Sequence, residues 1–314
     1  MAITNGAVEL HGVDAFNRSY RWEDRHRMLG RLVSAGLSVQ SRLSSAPRYS
    51  EVATLGALAG LVGSARNREV AVAAVRALGS TPTIAATWRF AWRWWYQRSA
   101  GGVLDYQADR VTLAWAEQHV AAPASVPSGG CILVSVHNFN QRLAFARLGT
   151  LFADLGGVGL FEPLPEGDPS LTQTSFGADA AAQVRARSRF CHEVFGPRLL
   201  SPRWAPRRGL ELLRRGGSLI VLIDFFGREP VNVLGKRMQV PSGPLWWAAQ
   251  SGRPIVPFAI LPTRGEPQPW QLWCGEPVDA TPSGLASAVE ECIRRAPTAW
   301  AGWPAWYAAP DYAG

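Results

Sequence analysis

The spacing of the apolar residues changes along the chain. Up to about Pro123 they recur at helical spacing, and few segments have a strand pattern. From about Gly129 to Leu261, short apolar runs alternate with helical stretches. Strands that alternate with helices are typical of α/β proteins. The sequence therefore predicts a helical N-terminal part over residues 1–123, which packs on an α/β core over residues 124–314.

Two of the predicted strands end on side chains that can take part in acid–base chemistry. The apolar run from Cys131 to Val136 is followed by His137, and the run GSLIVLID ends on Asp224. Ligands bind at the carboxyl ends of strands in open α/β sheets, and a carboxylate beside an imidazole fixes its tautomer for general-base catalysis. The sequence does not show whether the two strands are neighbours. The alternatives are a histidine that only makes structural hydrogen bonds and a helix-capping Asp224.

Charge and cysteine content narrow the classes of partner. The 314-residue chain has 32 Lys plus Arg against 24 Asp plus Glu, a net charge of +8, which favours phosphates, an acidic carrier protein or an anionic membrane surface. No nucleic-acid-binding pattern is present, so we expect no nucleic acid partner. The four cysteines have no CxxC spacing, which argues against a zinc site and a disulfide framework. Serine-hydrolase, P-loop and dinucleotide-binding motifs are also absent from the sequence.

A basic aromatic segment precedes the α/β part. Trp88, Trp92 and Trp95 recur at helical spacing, and Arg89 and Arg93 lie one step around the helix. Such a face suits a lipid–water interface. The alternative is that the tryptophans pack in the core and the arginines beside them are solvated. The N-terminus lacks a secretory pattern and no apolar run is long enough to span a bilayer. We therefore expect a cytoplasmic protein, with peripheral association at the inner face of the membrane as the second alternative.

Three segments of the second half follow one another in a characteristic order. They are LLRRGGSLIVLID, then VNVLGKRMQVPSGPLWWAAQSGRPIVPF, and finally APTAWAGWPAWY. Together they resemble the lipid A late acyltransferase family within the lysophospholipid acyltransferase superfamily, over roughly Gly129 to Tyr307. His137 falls where that family has the histidine of its H-x-x-x-x-[D/E] motif. The resemblance implies a mixed sheet flanked by helices, and acyl transfer from a CoA or carrier-protein thioester to a hydroxyl or amine in secondary-metabolite or glycolipid biosynthesis.

The chain departs from the family motif at one position. Five residues after His137, where the family has a carboxylate, the chain has Arg142, and residues 138–151 contain no Asp or Glu. A cation there would oppose formation of an imidazolium by like-charge repulsion. Three outcomes are open. Asp224 could supply the carboxylate, Arg142 could bind a phosphate and leave the histidine unaided, or the fold could serve binding or another reaction.

The expected mechanism assigns a role to each candidate residue. His137 would be the general base, Asp224 would orient it, and Asn140 or backbone amides would stabilise the oxyanion. The cations Arg142 and Arg228 would bind phosphate groups. We expect no metal and no bound cofactor, because the acyl-CoA or phosphopantetheine-carried thioester is a co-substrate. The competing hypothesis is a non-catalytic module that binds acyl groups or a carrier protein.

Two further groups of residues, one basic and one aromatic, are also assigned an expected role. Lys236 and Arg237 follow Arg228 in what we expect to be a glycine-containing loop on the ligand side of the sheet, where they could also bind phosphate. The paired tryptophans of a predicted helix over residues 244–250 and a late tryptophan series at near-helical spacing are expected to pack in the core. These tryptophans are Trp246, Trp247, Trp300, Trp303 and Trp306.

Overall fold

The computed structural model describes residues 54, 57–58, 61, 65–106, 111–158, 189–200, 204–224, 227–263 and 269–312. Within these ranges the helices are α1 Ala65–Ala77, α2 Ile84–Tyr106, α3 Leu113–His119, α4 Gln141–Leu151, α5 Ala205–Arg214, α6 Gly243–Ser251, α7 Pro282–Arg295 and α8 Trp303–Ala308. The strands are β1 Val120–Ala121, β2 Ile132–Ser135, β3 Leu155–Val158, β4 Leu199–Leu200, β5 Ser218–Leu222, β6 Glu229–Val233, β7 Lys236–Val240, β8 Ile255–Pro262 and β9 Trp270–Cys274. Residues 189–195 are also helical.

Seven of the described strands form one mixed sheet in the order β1-β9-β8-β2-β5-β3-β4. Neighbouring strands are parallel except β8 and β9, which are antiparallel. Strand β2 lies at the centre and pairs with both β5 and β8. Helices flank the sheet, and the predicted mixed α/β fold is confirmed.

The two faces of the sheet are covered by separate clusters of buried side chains. Ile132 and Val134 of β2 belong to one cluster, whereas Leu133 between them belongs to the other. Successive side chains of a strand point to opposite faces, so β2 is buried on both sides. This explains why its sequence is a continuous apolar run rather than an alternating one.

The part of the chain that the sequence predicted to be helical contains a short strand. Val120 and Ala121 form β1, which pairs in parallel with β9, so one strand comes from the part expected to be helical. A two-residue strand has too few positions to show a period. Residues 1–53 of the predicted N-terminal part lie outside the described residues, and the division at residue 123 stays a prediction.

The prediction of a loop around Lys236 is wrong, because this segment is a β-hairpin made of β6 and β7. Val231 and Val233 of β6 are buried, as are Met238 and Val240 of β7, with exposed or half-buried residues between them. The connecting residues 234–235 have φ values of 51° and 81°, as two-residue hairpin turns require. The glycine therefore marks a turn between two paired strands.

Helix α2 confirms the predicted helix and divides its tryptophans between two environments. Trp88 is 46% exposed, and Arg89 and Arg93 beside it are exposed, whereas Trp94 and Trp95 are buried. Neither the interfacial nor the core interpretation therefore applies to the whole stripe. Among the described helices, none combines the length and apolar character needed to cross a bilayer.

Candidate active site

His137 and Asp224 meet at the carboxyl edge of the sheet. Strands β2 and β5 are parallel neighbours, with Ser135 opposite Leu222. His137 comes two positions after Ser135, and Asp224 comes two positions after Leu222. The Nδ1 atom of His137 lies 2.6 Å from Oδ1 of Asp224. The backbone N–H of His137 donates to Oδ2 of the same carboxylate at 3.0 Å. Two residues 87 positions apart are thus joined by the register of one strand pair.

Asp224 is buried, with no exposed surface, and both its oxygens are hydrogen-bonded. In addition to the two His137 groups, the indole Nε1–H of Trp300 donates to Oδ2 at 2.8 Å. A buried carboxylate needs such donors because it has lost its contact with water. These three donors compensate for the burial of Asp224 and fix its orientation.

The contact with Asp224 favours one tautomer of the neutral His137 ring. An ionised carboxylate only accepts hydrogen bonds, so Nδ1 is the donor and the lone pair is on Nε2. The His137 side chain keeps 23% of its surface exposed, whereas Asp224 keeps none. An imidazole with this tautomer and partial exposure can accept a proton from a bound molecule.

The C-terminal segment forms one wall of the site. Residues 299–301 run antiparallel to the residues that follow β2. Phe139 N donates to Ala299 O at 3.0 Å, and Ala301 N donates to His137 O at 2.8 Å. The backbone of His137 is therefore held from two directions, by Asp224 through its N–H and by the C-terminal segment through its carbonyl.

Helix α2 forms a second wall. Trp94 Nε1 donates to the carbonyl oxygen of Trp300 at 3.0 Å. Gln97, three residues later and therefore on the same face of the helix, accepts a hydrogen bond from Nδ2 of Asn140. Helix α2 thus contacts both the C-terminal segment and the residues after His137.

Two of the predicted binding residues lie in the interior. Asn140 is fully buried, and its amide nitrogen already donates to Gln97. Arg142 is on α4 and is only 4% exposed. The carboxylate that contacts His137 comes from the neighbouring strand rather than from the helix that carries Arg142. The oxyanion role of Asn140 and the phosphate-binding role of Arg142 stay predictions.

Arg228 and Lys236, two of the other predicted phosphate ligands, lie in different surroundings. Arg228 is exposed and follows Asp224 by four residues, at the same end of β5. Lys236 begins β7, and its Nζ lies 2.8 Å from Oδ1 of Asp311 and 6.0 Å from the ring centre of Trp306. Lys236 therefore has an acidic partner within the chain, and Arg228 is exposed to solvent.

Sequence reasoning assigned Trp300 to core packing and did not consider Trp94 or Gln97 for the site. Trp300 is indeed fully buried. The only available signal was that a buried indole N–H needs an acceptor. The sequence does not identify that acceptor, because residues 224 and 300 come together only through the tertiary fold.

Three of the cysteine thiols are poor candidates for a nucleophile. Burial raises the pKa of Cys131 to about 11 and the pKa of Cys274 and of Cys292 to about 12. The thiolate is the nucleophilic form, so these thiols are protonated at neutral pH. In the described part of the chain, no group of three or more His, Cys, Asp or Glu side chains is arranged to hold a metal ion.

The chain has a structural likeness to a protein of known structure. No family model and no curated protein matches the chain. Among solved structures, the 1-acyl-sn-glycerophosphate (LPA) acyltransferase PlsC from Thermotoga maritima is similar over 73% of this chain and 95% of its own. The identity is 17% and the TM-score is 0.32. A likeness at this identity and TM-score assigns no function to the His137 site.

Proposed function

We propose that the protein transfers an acyl group from a thioester to a hydroxyl or amine acceptor, with His137 as the general base. The contact between His137 Nδ1 and Asp224 Oδ1 at the carboxyl edge of the sheet carries this proposal. It provides an oriented imidazole where α/β proteins bind their ligands. The resemblance of the sequence to lipid A late acyltransferases adds the reaction class.

The reaction needs one base and no external oxidant or reductant. His137 Nε2 takes the proton from the acceptor O–H or N–H as the acceptor atom attacks the thioester carbonyl carbon. The buried carboxylate of Asp224 stabilises the imidazolium that forms. The tetrahedral intermediate then collapses and the C–S bond breaks. Nε2 passes the proton that it took from the acceptor to the departing thiolate. The products are the acylated acceptor and the free thiol.

Asp224 takes the place of the carboxylate that the family motif would have at position 142. A carboxylate orients an imidazole when it lies beside the ring, whichever element supplies it. Asp224, two residues after the end of β5, lies beside the ring because β2 and β5 pair with Ser135 opposite Leu222. An arginine at position 142 is therefore compatible with acyl transfer.

The charge of the chain supports an anionic acyl donor. CoA and the phosphopantetheine arm of an acyl carrier protein both have phosphate groups, and carrier proteins are acidic. The net charge of +8 attracts such partners over a distance. Arg228 is exposed and follows Asp224 by four residues, so it is our candidate to bind a donor phosphate. We also propose that the protein acts in the cytoplasm, with a secondary-metabolite or glycolipid acceptor.

Intact-mass spectrometry tests this proposal. Candidate acceptors are incubated with acyl-CoA or acyl carrier protein and with the wild type, His137→Ala or His192→Ala. His192 is an exposed histidine of the helical segment 189–195 and serves as the matched control. We expect the acyl mass shift with the wild type and His192→Ala and its loss with His137→Ala. Carrier binding without any mass shift in all three proteins would instead support a non-catalytic binding module.

A further inference from the structure

We propose that Trp300 is a positioning residue that sets the tautomer of His137 by holding one oxygen of Asp224. This inference rests on the proposed function, in which His137 Nε2 accepts the proton. Trp300 has no contact with substrate in this role and acts only through the carboxylate. The C-terminal segment thereby becomes a functional part of the site rather than a packing element.

The donors around Asp224 divide its two oxygens between two tasks. Oδ2 accepts from the indole Nε1–H of Trp300 at 2.8 Å and from the backbone N–H of His137 at 3.0 Å. Oδ1 lies 2.6 Å from the imidazole Nδ1. A carboxylate oxygen has about two acceptor directions, so Oδ2 is fully used. The imidazole is therefore directed to Oδ1.

Trp300 is held in place by its surroundings before any substrate binds. Its carbonyl accepts from Trp94 Nε1 at 3.0 Å, and the adjacent Ala301 N donates to His137 O at 2.8 Å. Its ring contacts that of Trp303 edge to face, with centroids 4.8 Å apart. Because its rotamer is fixed by packing, the indole N–H reaches Oδ2 at little entropic cost.

Removing the indole N–H would leave Oδ2 with one donor, on a carboxylate that has no exposed surface. A buried acceptor that loses a partner is destabilised, and rotation of the carboxylate would let the remaining donors share both oxygens. The Oδ1–Nδ1 contact would then weaken, and the alternative tautomer with the proton on Nε2 would become populated. That tautomer cannot accept a proton at Nε2.

The test compares Trp300→Phe with Trp306→Phe. Both replacements remove an indole N–H from a buried ring, but Trp306, on α8, donates to Val233 O and not to Asp224. Two-bond ¹H–¹⁵N correlation spectra of the histidine rings, with His137 assigned through His137→Ala, give the tautomer directly. We expect the Nδ1–H tautomer in the wild type and Trp306→Phe, and a mixture in Trp300→Phe.

Kinetics give a second readout. We expect kcat of Trp300→Phe to fall by about tenfold to a hundredfold with KM unchanged, because a hydrogen bond to a charged group is lost. Replacing Trp300 by benzothienylalanine removes the N–H with less change in shape, and it decides the matter if the phenylalanine variant does not fold. A folded variant with an unchanged His137 tautomer would overturn the inference. Acyl transfer that survives His137→Ala would instead refute the proposed function, and the spectra would still test the role of Trp300.

Discussion

Asp224 binds the ring and the main chain of His137 with the same carboxylate group. Oδ1 lies 2.6 Å from Nδ1, and Oδ2 accepts the backbone N–H at 3.0 Å. The carboxylate therefore fixes the imidazole ring relative to the backbone of the same residue. Because Asp224 is fully buried, water does not compete for these contacts.

Asp224→Asn should lower kcat by about 10²- to 10⁴-fold, the usual contribution of general-base catalysis. An amide can donate to the imidazole as well as accept from it, so the Nδ1–H tautomer is no longer enforced. The variant keeps the volume of the side chain and should bind substrate normally. Steady-state kinetics with Asp311→Asn as control measure the effect, since Asp311 is exposed and pairs with Lys236 instead. Equal rates for both variants would contradict the role of Asp224.

Gly101→Ala should separate α2 from the residues after His137. A Cβ added at Gly101 would lie 2.5 Å from the carbonyl oxygen of Phe139, and backbone cannot move aside as a flexible side chain can. We expect a loss of about 1–3 kcal/mol in the free energy of unfolding, as is usual for overpacking, and reduced turnover.

Gly149→Ala on α4 is the control for this prediction. Its Cβ would approach the terminal side-chain atoms of Leu113 and Val194 instead of backbone, and such atoms can give way. Urea unfolding of both variants should show the larger loss for Gly101→Ala. A smaller loss for Gly101→Ala than for Gly149→Ala would show that α2 does not pack tightly on the Phe139 backbone.

Arg228→Ala should raise KM for the acyl donor by about two- to fivefold, the effect expected of an exposed charge pair. Lys236→Ala should change KM less, because Lys236 is already paired with Asp311. The Arg228 effect should shrink as salt is added, since salt screens exposed charges. Measuring KM at low and high ionic strength checks both points. A larger effect from Lys236→Ala would restore Lys236 as the main phosphate ligand.

The free energy of unfolding should fall as the pH rises above about 9. Burial raises the pKa of Cys131 from 9.0 to about 11, so between these values the unfolded chain loses a proton that the folded protein keeps. Stability from this group is thus present below pH 9 and is lost as the pH approaches 11. Thermal unfolding at pH 8, 9 and 10 should show a steeper decline for the wild type than for Cys131→Ala. Parallel curves would exclude this contribution.

The sequence predicted the elements that depend on local pattern. The apolar runs around β2 and β5, the helix after residue 243 and the positions of His137 and Asp224 at strand ends all follow from spacing over a few residues. The β6–β7 hairpin was mistaken for a loop because its turn glycine was given more weight than the alternation of its valines. The hydrogen bonds that Trp300, Trp94 and Gln97 make around the site were not predictable in this way. The bond from Trp300 to Asp224 joins residues 76 positions apart, and no local pattern contains that information.

A double-mutant cycle on acyl-transfer rates tests the central claim most directly. The rates of His137→Ala, Asp224→Asn and the double variant are measured with one thioester donor and one acceptor. If the two residues act as one unit, the double variant should be no slower than His137→Ala alone, because Asp224 acts only through the imidazole. Losses that multiply, or a His137→Ala variant as fast as the wild type, would contradict a catalytic unit made of His137 and Asp224.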